Sequence, residues 1–171
     1  MIKEYNNFLN ASYFKEISNL LCSSSFAWYY NKNISSKEND NNINEHGFSH
    51  WIVNQKNPNA MTPYRDYFMP LLLMIQDCVK KDKILRARAD MTMVSTEKFI
   101  HDWHKDFDYE NTATILYINE TDGETVILEN EIKKIVEPEV NKLVVFNGNL
   151  VHTGHSPIKH KRRILINSNY E

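Results

Sequence analysis

A histidine and an aspartate separated by one residue, His104 and Asp106, are the side chains of this sequence whose types and spacing best suit metal chemistry. Alternate side chains of an extended strand point to the same face, so both could reach one metal ion while Lys105 points away. An imidazole nitrogen and a carboxylate oxygen are two of the three ligands of a facial triad, which leaves coordination positions open and suits non-haem Fe(II). A third ligand elsewhere in the chain would complete such a site.

Three residues further along the chain could complete and extend this site. His152 follows the turn that ends a predicted strand over 142–147, and in an antiparallel barrel such a residue can return to the mouth where His104 lies. Arg163 lies on the last predicted strand, and Tyr117 lies within a strand shortly after the His-x-Asp pair. An isolated His-x-Asp pair recurs by chance, so the prediction depends on the combination.

Two helices are predicted in the first half of the chain. Apolar residues at helical spacing predict the first over 11–22, with Asn10 as its cap. Thr62-Pro63 predicts the start of the second, which extends to about Lys81. Pro70 should kink or divide this helix, because proline lacks the N–H group and crowds the preceding turn.

The second half of the chain consists of short extended runs. Many short strands at regular spacing predict an antiparallel sandwich or small barrel rather than a parallel α/β sheet. Asp122-Gly123 predicts a hairpin between two of these strands, and Pro138 and 147–149 predict further turns. The polar segment 31–47 is predicted to be a loop, either a solvated connection or a substrate lid. The predicted strands are 26–30, 48–54, 84–94, 97–104, 112–119, 124–129, 133–137, 142–147, 150–154 and 162–169.

Composition restricts the class of protein. A chain of 171 residues predicts one domain, and a net charge of −2 gives no electrostatic reason to expect nucleic acid or an acidic membrane as a partner. No apolar run approaches the length of about 18 residues that a membrane span needs. The first residues lack the apolar core of a signal peptide, so an intracellular location is expected. Cys22 and Cys78 lie far apart in apolar helical surroundings and are predicted to be buried free thiols.

Four segments of the second half carry a resemblance to a known family. They are HKD at 104–106, ILYINETDGET at 115–125, KLVVFNGNLVHTGHSP at 142–157 and RRILIN at 162–167. Together they resemble the Fe(II)/2-oxoglutarate-dependent oxygenases, in the prolyl-4-hydroxylase-like branch whose small members are common in bacteriophages. The resemblance is close over 85–169 and reaches the first half only as a general pattern of helices and strands.

The resemblance implies a role for each candidate residue. The metal ligands would be His104, Asp106 and His152. Arg163 would grip the distal carboxylate of 2-oxoglutarate, and Tyr117 would hydrogen-bond the same carboxylate. A planar guanidinium suits this task because it binds a carboxylate through two parallel hydrogen bonds. Hydrogen bonds to the other ring nitrogens should fix the tautomers of the two histidines.

The resemblance also implies a fold and an activity. The expected fold is mainly β, a double-stranded β-helix (jelly-roll) core over 84–171 packed against the N-terminal and central helices of a support region over 1–83. The expected activity is hydroxylation of a C–H bond of a protein or peptide side chain, as in prolyl hydroxylases, or of a small molecule, with release of succinate and CO2. The resemblance implies Fe(II), 2-oxoglutarate as cosubstrate and O2, and it allows ascorbate as a further cofactor. The expected location is cytoplasmic, with the protein encoded by a virus and acting in its host.

Three assignments have alternatives. His155 competes with His152, which is favoured because it directly follows the apolar run. Arg162 competes with Arg163, since alternation turns one inward and the other outward. His101 is read as a surface residue or one that supports the ligands, because its partner two residues on is Trp103, which cannot ligate.

Other functions remain as alternatives. The first is a catalytically inactive double-stranded β-helix that serves as a binding or structural module, which would not need the full ligand set. A cupin-type metal enzyme would lack its usual His-x-His pair here. The nucleic-acid demethylases carry a second arginine where this chain has Asn169, so DNA or RNA repair is not expected.

Overall fold

A computed structural model of the chain describes residues 1–35, 45–54 and 62–171. The centre of the predicted loop at 31–47 lies outside these residues. Within them, the helices are α1 (Ala11–Cys22) and α2 (Arg65–Val79). The strands are β1 (Lys3–Tyr5), β2 (Tyr29–Asn31), β3 (Gly47–Asn54), β4 (Ile84–Met93), β5 (Thr112–Tyr117), β6 (Thr125–Glu129), β7 (Ile132–Val136), β8 (Leu143–Asn147), β9 (His152–Gly154) and β10 (Arg162–Tyr170).

The strands form two antiparallel sheets. A seven-stranded sheet has the order β1-β8-β5-β10-β4-β3-β2, and a three-stranded sheet has the order β7-β6-β9. From β5 to β10 the chain passes repeatedly from one sheet to the other, as it does in a jelly roll. The predicted fold, mainly β with a jelly-roll core, is confirmed.

The large sheet separates two apolar cores, and strand alternation explains why. On β5 and β10, Leu116, Ile164 and Ile166 pack in the core that contains the helices, which contribute Ile17 and Phe68 among others. The side chains between them, Ile115, Tyr117 and Leu165, point to the other face and pack against the small sheet through Ile127 and Val136. The helices therefore support one face, and the other face encloses the interior between the two sheets.

The first helix is confirmed with its cap. Helix α1 spans Ala11–Cys22, and Asn10 Oδ1 accepts a hydrogen bond of 3.0 Å from Tyr13 N. This bond satisfies one of the N–H groups that the first turn of a helix leaves without a partner.

The second helix begins later than predicted. It starts at Arg65 because Thr62 forms a turn instead, in which its Oγ1 accepts from Tyr64 N at 3.2 Å. Pro70 lies within the helix and does not divide it. Lys80 in the left-handed conformation (φ 55°) ends the helix, close to the predicted end.

One predicted strand is wrong. Segment 97–104 contains only two isolated bridges, Ile100 with His155 and His104 with His152. Scattered backbone bonds, such as His101 N to Gly154 O at 3.0 Å, replace a continuous ladder, and the Glu45 carboxylate accepts from Asp102 N at 3.3 Å. Several other strands differ from the prediction by one to three residues at an end, and β1 was not predicted.

The hairpin predicted at Asp122-Gly123 is also wrong. The strands on either side, β5 and β6, belong to different sheets, and Gly123 does not have positive φ. The turn with two positive φ values joins β6 to β7 instead, at Asn130 (51°) and Glu131 (65°). Gly123 is required for space: a Cβ at this position would lie 2.6 Å from Arg163 Cδ.

Three smaller predictions concern the chain as a whole. Cys22 and Cys78 are free, although they are only partly buried. Among the described residues no helix has the length and apolar character needed to cross a membrane. The single domain with a support region over 1–83 stays a prediction; β1 and β3, from that region, pair with β8 and β4 of the predicted core.

Candidate metal centre

His104 and His152 lie directly opposite each other on adjacent antiparallel segments. His104 N donates to His152 O at 3.0 Å, and His152 N donates to His104 O at 2.9 Å. Their ring centroids are 4.6 Å apart. This backbone pairing brings together two imidazoles that are distant in the sequence.

Asp106 completes a cluster with these histidines. Its Oδ1 lies 3.8 Å from His104 Nε2 and 3.9 Å from His152 Nε2. The candidate ligand atoms of the three residues all lie within 4.8 Å of one another. Lys105 is exposed, as expected from its place between them. The structure therefore brings the three predicted ligands to one point.

Hydrogen bonds to backbone carbonyls fix the tautomer of both imidazoles. His104 Nδ1 donates to Asp102 O at 3.0 Å, and His152 Nδ1 donates to Leu150 O at 3.0 Å. A carbonyl only accepts, so Nδ1 carries the proton in each ring. In the neutral form of each ring Nε2 is then the unprotonated nitrogen, and it faces Asp106, as metal ligation requires.

A closed ring of polar contacts holds the Asp106 carboxylate. Arg86 Nη2 lies 2.5 Å from Asp106 Oδ1, and Asn169 Nδ2 donates to Asp106 Oδ2 at 3.0 Å. Arg86 Nε donates to Asn169 Oδ1 at 2.7 Å, which closes the ring. Asn169 is fixed further by Asn111, whose Oδ1 accepts from it at 2.9 Å. The carboxylate is thus oriented before any ligand arrives.

The electrostatics of the cluster favour the protonation states that bind a metal. Burial, together with the neighbouring His152, lowers the pKa of the His104 imidazole. Burial alone would raise the pKa of the Asp106 carboxyl, but Arg86, with help from His152, holds it well below its usual range. At neutral pH the cluster therefore offers a neutral imidazole and an ionised carboxylate.

The two other histidines near the cluster have different partners. His155 Nδ1 lies 2.8 Å from Glu124 Oε2, and His155 does not belong to the cluster, which favours His152 over this alternative. His101 is 5% exposed and is therefore not a surface residue. Its Nε2 lies 3.0 Å from Ser156 Oγ, and its Nδ1 lies 3.5 Å from a carboxylate oxygen of Glu45.

Arg163 is a buried cation in the same interior. It is 7% exposed, and its Nε and Nη2 donate to Gly123 O and Thr125 Oγ1, both at 2.8 Å. These contacts use two of its five N–H donors. None of the ion pairs among the described residues involves Arg163, so its charge has no anionic partner within that part of the chain. Gly154 lies against the guanidinium, since a Cβ there would be 3.0 Å from Nη1.

The choice between Arg162 and Arg163 follows from their directions. Arg162 points the other way, and its Nη2 donates to Cys22 O at the end of α1, at 3.1 Å. Arg163 alone of the two lines the interior cavity.

Tyr117 is fully buried beside Arg163. The Arg163 guanidinium lies 5.7 Å from the centre of the Tyr117 ring, and the Tyr117 hydroxyl lies 2.5 Å from Thr125 Oγ1. Thr125 therefore connects Tyr117 with Arg163. The predicted bond from Tyr117 to a bound carboxylate stays a prediction.

One cavity connects the cluster to the arginine. Its volume is ≈ 70 Å³, and it contains both histidines and Arg163. A second, open cleft of ≈ 610 Å³ reaches Asp106 and Arg86, with the aromatic side chains of Trp51, Phe107 and Tyr109 on its walls. The first cavity is lined by Ile34, Ser35, Arg88, Asp90, Met91, Thr92, His101, His104, Ile115, Thr125, His152, Thr153, Gly154, Arg163, Leu165 and Asn167.

Sequence reasoning missed several polar residues of this site. Arg86, Arg88 and Asp90 project from β4 at every second position of an otherwise apolar strand, and this alternation was a usable signal. Glu45, which holds Asp102 N, stands within a uniformly polar segment, where nothing distinguishes it. Thr125 is an ordinary strand residue in sequence.

Comparison with solved structures identifies the fold. An oxidoreductase of the 2OG-Fe(II) oxygenase family from Burkholderia pseudomallei is 13% identical, with 99% of this chain and 84% of that chain covered and a TM-score of 0.73. A prolyl hydroxylase from Trichoplax adhaerens, in complex with a peptide fragment of the hypoxia inducible factor oxygen degradation domain, is 15% identical (99% and 83% covered, TM-score 0.69). HygX from Streptomyces hygroscopicus, with nickel and 2-oxoglutarate bound, is 9% identical (99% and 82% covered, TM-score 0.64).

This chain has the fold of the 2-oxoglutarate/Fe(II) oxygenases. No family model and no curated protein sequence matches it. The oxygenase fold is therefore recognised here through structure, and the activity depends on the residues of the site.

Proposed function

We propose that this protein is an Fe(II)- and 2-oxoglutarate-dependent oxygenase that hydroxylates a C–H bond, with release of succinate and CO2. The observation that carries the proposal is the convergence of His104, Asp106 and His152, with ligand atoms within 4.8 Å of one another, beside a cavity that both histidines and Arg163 line. An oxygenase fold whose function was only structural would have no need of this combination.

The donor set suits the iron that the fold implies. Two imidazole nitrogens and one carboxylate oxygen would hold the metal and leave open positions for a cosubstrate and for O2. In the neutral rings of His104 and His152, Nε2 is the nitrogen free for a metal, because the protons on Nδ1 are engaged by carbonyl groups. Arg86 and Asn169 keep Asp106 oriented and ionised.

Arg163 provides the cosubstrate site. A buried guanidinium without a carboxylate partner is costly, and the distal carboxylate of 2-oxoglutarate would supply that partner. Gly123 and Gly154 leave room for the guanidinium, and its Nε and Nη2 bonds fix its plane. Tyr117 and Thr125 close the same end of the cavity with hydroxyl groups.

When bound, iron and 2-oxoglutarate supply the oxidising chemistry: O2 converts 2-oxoglutarate to succinate and CO2, and a substrate C–H bond becomes C–OH. The chain itself orients these groups and excludes water. Because the cluster is buried, water has little access to it and side reactions are limited. The cleft beside Asp106 offers a route by which a substrate reaches the metal.

The substrate is a protein or peptide side chain, as in prolyl hydroxylases, or a small molecule. The peptide bound to the Trichoplax prolyl hydroxylase supports the first class. Asn169, which holds Asp106, stands where nucleic-acid demethylases carry a second arginine, and the net charge is −2, so nucleic acid is not proposed. A cytoplasmic location, a viral origin and a use of ascorbate stay predictions.

The test is spectroscopic. Fe(II) and then 2-oxoglutarate are added to the purified protein without O2, and the expected result is the weak visible charge-transfer band of a chelated 2-oxoacid. Admission of O2 should then release succinate. The absence of both signals would favour the inactive binding module.

A further inference from the structure

Strand β4 presents a row of charged side chains to the interior. Arg86, Arg88 and Asp90 alternate with Ala87 and Ala89, which are fully buried on the helix-covered face. Arg86 is committed to Asp106. Arg88 and Asp90 pair with each other instead, and neither belongs to the His104–Asp106–His152 cluster.

This pair lies in the wall of the reaction cavity. Arg88 Nε and Asp90 Oδ1 are 2.5 Å apart, and the two side chains are 16% and 15% exposed. Both line the cavity that contains His104, His152 and Arg163. Arg88 also lies over the ring of Trp51, 5.3 Å from its centre, and Trp51 lines the open cleft. The pair is therefore placed between the metal cluster and the route from solvent.

Two neighbouring side chains have polar atoms without partners. Asn167, which pairs with Arg88 across the strands, has a buried Oδ1 with no hydrogen bond to any of the described residues. Thr92 Oγ1, in the same cavity wall, is also buried and has no hydrogen-bond partner among the described residues. Buried oxygens are normally hydrogen-bonded, so Asn167 Oδ1 points to a ligand that donates a hydrogen bond, and Thr92 Oγ1 suits either a donor or an acceptor.

A buried ion pair contributes little to stability compared with apolar side chains of the same size. Because this pair lines a cavity, a ligand bound there can reach both of its charges. A lone anion would be attracted by Arg88 but repelled by Asp90, and a lone cation would meet the reverse. A small molecule that carries both signs close together meets a complementary charge at each end.

We infer that Arg88 and Asp90 form the substrate subsite and that the substrate is a free α-amino acid, bound through its zwitterionic head group. Its carboxylate accepts hydrogen bonds from Arg88, and its ammonium donates to Asp90 and to Asn167 Oδ1. Trp51 keeps the Arg88 guanidinium in place by stacking. This assignment rests on the proposed oxygenase function and selects the small-molecule class of substrate.

The experiment uses the full chain loaded with Fe(II) and 2-oxoglutarate. Each of the proteinogenic amino acids is added without O2 to look for a change in the visible band, and then with O2 to measure succinate release. The N-acetyl and α-amide derivatives of each active amino acid are the comparison, because they lack one of the two charges. We expect at least one free amino acid to change the band and accelerate succinate release, and its derivatives to bind at least about tenfold more weakly.

Variants of Arg88 and Asp90 test whether these two residues bind the active amino acid. Arg88→Gln and Asp90→Asn should each weaken binding of the active amino acid by at least about tenfold, with the 2-oxoglutarate requirement unchanged. The double variant removes both charges together, so neither is left buried alone if a single variant folds poorly. Arg65→Gln and Asp66→Asn, on the exposed start of α2, are the matched controls and should change nothing.

Three results would overturn the assignment while the oxygenase function stands. In the first, the 2-oxoglutarate band forms but no free amino acid affects it. In the second, the N-acetyl and α-amide derivatives bind as well as the free amino acid, which would indicate a peptide substrate. In the third, the double variant binds the amino acid normally. If no band forms with Fe(II) and 2-oxoglutarate, the proposed function itself fails and the assignment fails with it.

Discussion

Strands β4 and β10 have two faces that differ completely in character. The helix-covered face of these strands carries Ala87, Ala89, Ile164 and Ile166, all fully buried against apolar side chains. The interior face of the same strands carries Arg86, Arg88, Asp90, Arg163, Asn167 and Asn169. Most of both faces is buried, yet one is mainly hydrocarbon, whereas the other carries mostly charged and amide groups, with Leu165 between them.

The contrast separates stability from chemistry. Burial of apolar area on the helix-covered face favours folding, whereas each buried charge on the interior face costs desolvation and needs a partner. Arg86 finds Asp106, and Arg88 finds Asp90. Arg163 finds no anion among the described residues, and in the proposed function 2-oxoglutarate would supply one. Substitutions on the two faces should therefore affect different measurements.

The largest expected effect comes from the proposed metal ligands, which meet the interior face through Arg86 and Asn169. Asp106→Ala removes a ligand and leaves Arg86 without its anion, so the band and succinate release should fall to background. His104→Ala and His152→Ala should do the same. Asp108→Ala, an exposed carboxylate two residues away, is the control for Asp106. Undiminished succinate release in His104→Ala would contradict the metal assignment.

A substitution in the helix-covered core should affect stability alone. Leu71→Ala in α2 creates a cavity at a fully buried position and should reduce the free energy of unfolding by about 2–5 kcal/mol, measured by urea denaturation. The 2-oxoglutarate requirement of the folded protein should not change. Leu73→Ala, at a 48% exposed position of the same helix, should have little effect on either. If folded Leu71→Ala needed a higher 2-oxoglutarate concentration, the helix-covered core would contribute to cosubstrate binding as well as to stability.

Arg163 and Arg162 test the two faces at neighbouring positions. Arg163→Ala should raise the 2-oxoglutarate concentration needed for half of the visible band roughly 10- to 100-fold, because it removes charged hydrogen bonds to a carboxylate. Arg162→Ala removes only a bond to Cys22 O and should leave that concentration unchanged. If Arg162→Ala raised this 2-oxoglutarate concentration more than Arg163→Ala did, Arg162 would be the residue that binds 2-oxoglutarate.

The smallest expected effect is a dependence on pH. The pKa of His104 is lowered by burial and by His152, so its Nε2 should remain free at pH values near the ordinary histidine pKa of about 6.5. Metal affinity, measured by competition with a chelating dye, should therefore hold to about that pH and decline below it. The same shift means that the unfolded imidazole takes up its proton first, so the metal-free protein should lose stability as pH falls through about 6.5. A decline of affinity that begins well above this pH would contradict the environment described for His104.

Local patterns in the sequence were sufficient for several parts of this structure. The capping by Asn10 and the helical spacing over 11–22 predicted α1, because both act between residues close in sequence. The extended runs predicted most of the strands, and the segments around 104, 117, 152 and 163 indicated the site by resemblance. The predictions at 97–104 and at Asp122-Gly123 were wrong because contacts with distant residues determine both segments. Glu45 accepts from Asp102 N, and the Arg163 side chain packs against Gly123.

The types of the candidate site residues could be predicted from the chain because His-x-Asp, a later histidine and a later arginine together match a known pattern of such sites. Their partners could not be read in this way. That Arg86 and Asn169 hold Asp106, that Asp102 and Leu150 set the imidazole tautomers, and that Arg88 meets Asp90 in the cavity wall all depend on the folded arrangement of strands and loops. Hydrogen bonds and ion pairs act over a few ångströms in space, and the register of the sheets decides which distant residues come within that range.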